Sequence, residues 1–381
     1  MKSKAEMSSV APGASPSHDA TPVVEVELVD VGRFFDRVVA VERCNLAVNR
    51  GEIVALLGPS GCGKSTLLNL IAGFETPDTG TIRLRGRVLN GVPPHRRNTA
   101  MVFQHYALFP HLTVARNIAY GIEARGLDPA TRTARVNDML ALLKLDGLGE
   151  RYPSQLSGGQ RQRVAIARAL AVQPDVLLLD EAFSALDRNL REDMQVELSL
   201  LLRRLKVTTI LVTHDQREAF SLADRIAVMQ SGRIAQIDTP RMMYERPSDS
   251  YVMCFLGSIN TLKATLKRAP DGKPRLRLGD GLEFDAPKLP RGIDEPGDVL
   301  VYIRAEDISI GEQPSAVHIS RPATVALSTF LGSQERVVLT CEGQQIVVDR
   351  SANGRGQFKA STGRPVYLEF DPACCRLGRV D

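Results

Sequence analysis

The chain has 381 residues, 43% hydrophobic and 24% charged, with 48 Lys and Arg against 44 Asp and Glu for a formal net charge of +4. Such a balance fits a globular protein of two folded units and excludes a fibrous, largely disordered or strongly nucleic-acid-seeking chain. Six cysteines (Cys44, Cys62, Cys254, Cys341, Cys374 and Cys375) show no metal-ligand or redox spacing, which points to free thiols in a reducing compartment.

In chain order, Met1 to Pro22 is rich in Ser, Ala and Pro and lacks the apolar stretch of a secretory signal, so it is expected to be a disordered tail. Alternation of apolar and polar residues from Val23 to Val41 predicts strands, and Asn45 to Gly51 leads through a turn into a buried strand, Glu52 to Leu57. A helix follows over Thr66 to Ala72. Between Thr113 and Leu145 the pattern becomes helical, with Val136, Met139, Leu140 and Leu143 on one face. Asp175 to Asp180 and Thr209 to Thr213 are short apolar runs of the kind that form parallel strands covered on both sides. The intervening Leu190, Met194, Leu198, Leu201, Leu202 and Leu205 mark a helix, completing a βαβ crossover in a mostly parallel α/β sheet. After Phe255 short alternating runs between Gly and Pro predict a small all-β domain, a barrel or sandwich. No segment reaches the roughly 18 consecutive apolar residues of a membrane span, so any membrane link is expected to run through a partner.

Three segments carry chemistry. Gly58-Pro59-Ser60-Gly61-Cys62-Gly63-Lys64-Ser65-Thr66 has the spacing of a phosphate-binding loop between strand and helix. Its glycines let backbone N–H groups wrap a polyphosphate, Lys64 adds positive charge at the β and γ phosphates, and Ser65 offers a hydroxyl to Mg²⁺. Cys62 is assigned no catalytic role. Leu177-Leu-Leu-Asp180-Glu181 ends a strand in two acids: Asp180 would orient Mg²⁺ or its waters, and Glu181 would polarise the attacking water. Leu156-Ser157-Gly158-Gly159-Gln160 opens another helix with a second anion site. One nucleotide needs only one such cradle per chain, so the second is expected to serve a nucleotide held by another copy.

With these residues in place, Val26 to Phe255 resembles the ATP-binding subunit of an ABC transporter. The resemblance extends to Gln104 in Val102-Phe-Gln, to Ser184-Ala-Leu-Asp187 and to His214 in Val212-Thr-His-Asp215. It implies that Gln104 senses Mg²⁺ and the attacking water in a loop facing a permease, that Asp187 lies at a dimer seam, and that His214 contacts the γ-phosphate. Phe35, or its neighbour Phe34 after a one-residue slip, matches the aromatic that stacks on adenine. One departure is visible: Ala182 stands where the family usually has Pro after the catalytic Glu. The C-terminal region resembles, more weakly, the barrel-like accessory domain attached to ATPase subunits of a group of bacterial importers, Arg304-Ala-Glu306-Asp-Ile308 matching its usual Arg-Pro-Glu segment except for Ala305.

The expected organisation is therefore a tail (1–22), a P-loop ABC cassette (23–255) with a helical subdomain over about 105–170, and an OB-like accessory β domain of the TOBE type (256–381). The resemblance implies an ATPase using ATP and Mg²⁺, paired as a homodimer through its ATP sites at the cytoplasmic face of the inner membrane. There it would drive a permease fed by an extracytoplasmic solute-binding protein, without nucleic acid. Polyamines (spermidine and putrescine) are the expected cargo, with iron(III), sulfate, aminoethylphosphonate or sugars as alternatives. An ABC ATPase acting on DNA or the ribosome is the alternative of another class, and a P-loop kinase leaves Ser157 to Gln160 and His214 unexplained.

Overall fold

The structure is a computed structural model that describes residues 23–183, 188–279, 281–287, 289, 293, 295–352 and 360–379. The tail expected at 1–22 and the Ser184-Ala-Leu-Asp187 segment, Asp187 included, lie outside the described residues. Two compact units emerge, one running to Asp224 and including Ser231–Arg233, the other taking Arg225–Gln230 and Ile234 onward.

The first unit opens with β1 (Val24–Phe35) and β2 (Val38–Asn49), paired antiparallel. Next come β3 (Ile53–Leu57), α1 (Lys64–Ala72), β4 (Thr79–Leu84) and β5 (Arg87–Val88). β1, β2, β4 and β5 form an antiparallel sheet in the order β2-β1-β4-β5. After β6 (Thr99–Val102) the chain is helical: α2 (Val114–Ala124), α3 (Pro129–Leu142) and α4 (Gly158–Ala171). On the predicted face of α3, Val136 and the following Leu143 are buried and Met139 and Leu140 are half-buried.

Then β7 (Val176–Asp180), α5 (Arg188–Leu205) and β8 (Thr208–Thr213) make the crossover, and α6 (Gln216–Leu222) follows. β3, β8, β7 and β6 lie side by side and parallel. β3 and β8 are buried along their whole length, which is why β3 is apolar throughout and β8 carries an Ile-Leu-Val run between buried threonines rather than an alternating pattern. All three βα turns of interest, after β3, β7 and β8, therefore emerge at the same carboxyl edge, where open α/β sheets place ligand sites.

The second unit holds β9 (Arg225–Gln230) and most of β10 (Arg233–Asp238), then α7 (Pro240–Glu245) and α8 (Ser250–Phe255). Ten strands follow among the described residues: β11 (Ile259–Arg268), β12 (Pro274–Leu278), β13 (Glu283–Asp285), β14 (Gly297–Arg304), β15 (Ile308–Gly311), β16 (Ile319–Phe330), β17 (Gln334–Cys341), β18 (Gln344–Ser351), β19 (Pro365–Phe370) and β20 (Arg376–Arg379). They build two five-stranded antiparallel sheets, β13-β12-β11-β14-β20 and β15-β19-β16-β17-β18. Leu262, Leu276, Val301, Val325, Val337 and Phe370 belong to their shared core. Ala305, in the position expected for proline, donates its backbone N–H to Ser258 O at 2.9 Å, a bond that proline lacks the hydrogen to make. Beside it, the Arg304 guanidinium lies 3.6 Å from the Tyr244 ring centre and Glu306 accepts from the Tyr244 hydroxyl.

Candidate functional site

The loop from Gly58 to Gly63 carries the chain from β3 into α1. Gly63 caps α1 at φ +103°, and a Cβ there would fall 2.2 Å from the carbonyl oxygen of Ala40 on β2. Only glycine fits such a position. Gly232 N–H donates to Cys62 O at 3.0 Å, fastening the loop from its other side. Because Gly63 acts as the cap, α1 starts at Lys64, two residues before the predicted start. Lys64 is buried, its ammonium donating to the carbonyls of Gly58 and Pro59 at 2.8 Å each, with Cys62 Sγ at 3.8 Å. Cys62 is buried as well. Pro59, Ser60, Gly61 and Ser65 are exposed and Thr66 is half-buried. Phosphate oxygens are stronger acceptors for an ammonium than neutral carbonyls, so a polyphosphate over this loop would capture the Lys64 head.

The acids at the end of β7 face this loop. Ser65 Oγ donates to Asp180 Oδ1 at 3.2 Å. Burial raises the Asp180 pKa, more than the Ser65 hydrogen bond lowers it. Two hard oxygen donors, a hydroxyl and a carboxylate, fit Mg²⁺, which keeps most of its water and takes few protein ligands. Glu181, next in sequence, adopts φ +45°, an uncommon conformation for a residue with a side chain and one that collects at functional sites. Its Oε2 accepts from Gln104 Nε2 at 3.2 Å, and its Oε1 lies 3.1 Å from His214 Nδ1. Three residues from three different loops thus converge: Gln104 after β6, Glu181 after β7 and His214 after β8. A carboxylate held between an amide and an imidazole can accept a proton from water.

Ser157 and Gln160 form a reciprocal cap on α4, Ser157 Oγ accepting from Gln160 N–H at 3.3 Å and Gln160 Oε1 accepting from Ser157 N–H at 2.9 Å. Ser157 is exposed, and Gly158 and Gly159 are helical residues without side chains over the helix N-terminus. The geometry suits an approaching anion. Phe35 ends β1 at the turn into β2, 39% exposed, with the Arg33 guanidinium 4.5 Å from its ring centre; Phe34 is 40% exposed. Exposure does not separate the two aromatics.

Three polar residues that support the site's elements are not among the expected site residues. Arg97 is buried and donates to the carbonyls of Leu70, Ile71, Leu89 and Val92 at 2.7–2.8 Å. It thereby caps the C-terminal end of α1, where a cation is favoured. Arg168 on α4 grips the Gln104 loop. Glu218 is buried beside Thr213, whose hydroxyl donates to it at 2.6 Å, and burial pushes its pKa up to about 7. The run Asp215-Gln-Arg-Glu218 has the sequence form of a capping box. Asp215 does cap α6, accepting from Arg217 N–H at 2.9 Å, while Glu218 turns inward to Thr213.

Comparisons with known proteins address the whole chain. A family model described as ABC transporter matches residues 41–184, and one described as TOBE domain matches residues 301–377. The spermidine/putrescine import ATP-binding protein PotA of Thermobifida fusca is 41% identical over 98% of this chain and 98% of its own. The chain belongs to the ABC transporter family. Other ABC relatives include the sulfate/thiosulfate import ATP-binding protein CysA of Gloeobacter violaceus, 44% identical over 90% of this chain and 93% of that protein. The putrescine transport ATP-binding protein PotG of Escherichia coli is 45% identical over 80% of each. Among solved structures, a dimeric ATP-binding cassette in a post-hydrolysis state with ADP and Pi is 31% identical, with a TM-score of 0.51 over 57% of this chain and 99% of that one. This ABC subunit is accordingly an ATP-binding ATPase with an all-β TOBE domain. No described helix is long and apolar enough to cross a membrane.

Proposed function

We propose that the chain hydrolyses ATP to energise import of polyamines, spermidine or putrescine, through a membrane permease. The observation that carries the cargo is the end-to-end likeness to a spermidine/putrescine import protein, 41% identical over 98% of both chains. Sulfate is the second reading, favoured by the 44% identity to a sulfate/thiosulfate import protein. In this reading residues 23–255 bind nucleotide, with a helical subdomain near 105–170, and 256–381 form the accessory domain. The subunit sits at the cytoplasmic face of the inner membrane, held by permease subunits and served indirectly by an extracytoplasmic solute-binding protein. No nucleic acid takes part.

Within the site, Phe35 stacks on adenine and Gly58 to Thr66 enclose the phosphates, with Lys64 on the β and γ groups. Ser65, Asp180 and Gln104 hold Mg²⁺, which when bound neutralises phosphate charge. Glu181 takes the proton of the attacking water, and His214 keeps the Glu181 carboxylate oriented and meets the γ-phosphate. Ser157-Gly-Gly-Gln160 of a second copy closes over the nucleotide, with Asp187 at the seam. The convergence of Gln104 and His214 on Glu181, at 3.2 and 3.1 Å, is what supports Glu181 as the base.

The cargo is tested by reconstituting the subunit with its permease and solute-binding protein and measuring which solute stimulates ATP hydrolysis. Spermidine or putrescine should stimulate; stimulation by sulfate alone would replace the polyamine reading with the second one.

A further inference from the structure

The geometry points to Arg168 as a positioning residue that clamps the Gln104 loop to the helix opened by Ser157, and so sets where Gln104 stands against Glu181. Arg168 lies on α4, and its guanidinium donates from Nη1 to Ala107 O at 2.7 Å and from Nη2 to Tyr106 O at 2.9 Å. Those two acceptors are consecutive residues with side chains at φ +61° and +45°. Left-handed pairs of this kind persist only where surrounding structure holds them. Local bonds supply part of the hold: Tyr106 N–H donates to Phe103 O at 2.8 Å and Ala107 N–H to His105 O at 2.7 Å.

The same guanidinium lies 5.5 Å from the Phe109 ring centre, and Phe109 packs at 4.4 Å on Tyr120 of α2. Farther along, Asn117 Oδ1 accepts from Phe109 N–H at 2.9 Å, and its Nδ2 donates to the carbonyls of Phe109, Leu112 and Thr113 at 3.0–3.1 Å. The loop is thus fastened at two places, and the Arg168 clamp is the nearer to Gln104, only two residues away in sequence. α4 is capped by Ser157 and Gln160 at one end and carries Arg168 about three turns later, so one helix bears both the cap and the clamp on the Gln104 loop. A fork of two parallel N–H groups is what two neighbouring carbonyls require; lysine offers a single point charge on a flexible stem.

This inference rests on the reading of Gln104 and Glu181 given above, and its test separates the two. In the full-length chain, Arg168→Met and the milder Arg168→Lys are compared with the unmodified protein by hydrogen exchange and by ATPase kinetics. Amide exchange at Tyr106 and Ala107 should rise about tenfold in Arg168→Met and by a smaller factor in Arg168→Lys, with β3 and α1 unchanged. The turnover number should fall while KM for ATP stays constant, and in a Gln104→Ala background Arg168→Met should cause no further fall. Unchanged exchange at Tyr106 and Ala107, or a full additional fall without Gln104, would overturn the clamp. If Arg168→Met does not fold, Arg168→Lys carries the same comparison. Absence of hydrolysis by the unmodified chain would defeat the functional reading instead, and the exchange measurement would still decide the clamp.

Discussion

At the phosphate loop the glycines are required by the chain itself: Gly63 sits at φ +103° because the Ala40 carbonyl leaves no room for a Cβ. At the second glycine pair, Gly158 and Gly159 are the first two residues of α4 in ordinary helical conformations, so no left-handed backbone there demands glycine. Ser157 and Gln160 already satisfy each other there. The first site is thus a loop whose path is fixed at Gly63 by the Ala40 backbone and at Cys62 by the Gly232 N–H. The second is a helix start at which Ser157 is exposed, Gly158 half-buried and Gly159 buried, with no side chain on either glycine to stand over the helix N-terminus. The contrast is what the proposed sharing of the site between two copies would require.

That contrast can be broken at several strengths. Gly63→Ala should abolish nucleotide binding, because the added methyl must displace the Ala40 backbone; binding of a fluorescent ATP analogue checks it, and near-normal affinity would show that the loop is not the cradle described. Glu181→Gln should leave binding intact and lower turnover about 100-fold or more, the scale of a lost general base, measured as phosphate release.

A titration sharpens the support beneath the site. The Glu218 pKa of about 7 in the fold stands above its ordinary 4.5. Its contribution to stability is therefore full below pH 4.5 and is lost as pH rises through 7. By linkage the full loss is about 3 kcal/mol, so Glu218→Gln should flatten the decline between pH 5 and pH 8 in denaturant unfolding. Equal slopes would mean that the carboxyl is not desolvated. The smallest expected effect is that of Ser157→Ala, about 1 kcal/mol of stability from the lost cap, with ATP affinity of the single chain unchanged.

The phosphate loop, the paired acids and the capped Gly-Gly segment were legible because each is contiguous: the chemistry needs neighbouring residues on one turn. Parallel strands were legible for a similar reason, since burial on both faces writes itself as an apolar run in β3 and β8. Arg97, Arg168 and Glu218 were not. Each acts on backbone or hydroxyl groups distant along the chain or turned away from the expected direction, and a lone charged residue carries no mark of being buried. The left-handed conformations of Tyr106, Ala107 and Glu181 also leave no trace, because none is glycine. In the second unit the alternating runs announced strands, whereas the pairing of β14 with β20 and of β15 with β19 depends on contacts across long stretches of chain.

The most direct test of a shared site mixes two disabled chains. Lys64→Ala removes the phosphate-loop charge, and Gly158→Asp places a carboxylate at the start of α4, where it suits the helix dipole but repels a polyphosphate. Each variant alone should fail to form ATP-dependent dimers, as read by mass in solution. Mixed together they should pair, retaining one ATP per dimer between the Gly158→Asp chain's intact phosphate loop and the Lys64→Ala chain's intact Ser157 to Gln160. A mixture that stays as monomeric as its parts, or a Gly158→Asp chain that dimerises with ATP unaided, would contradict the account.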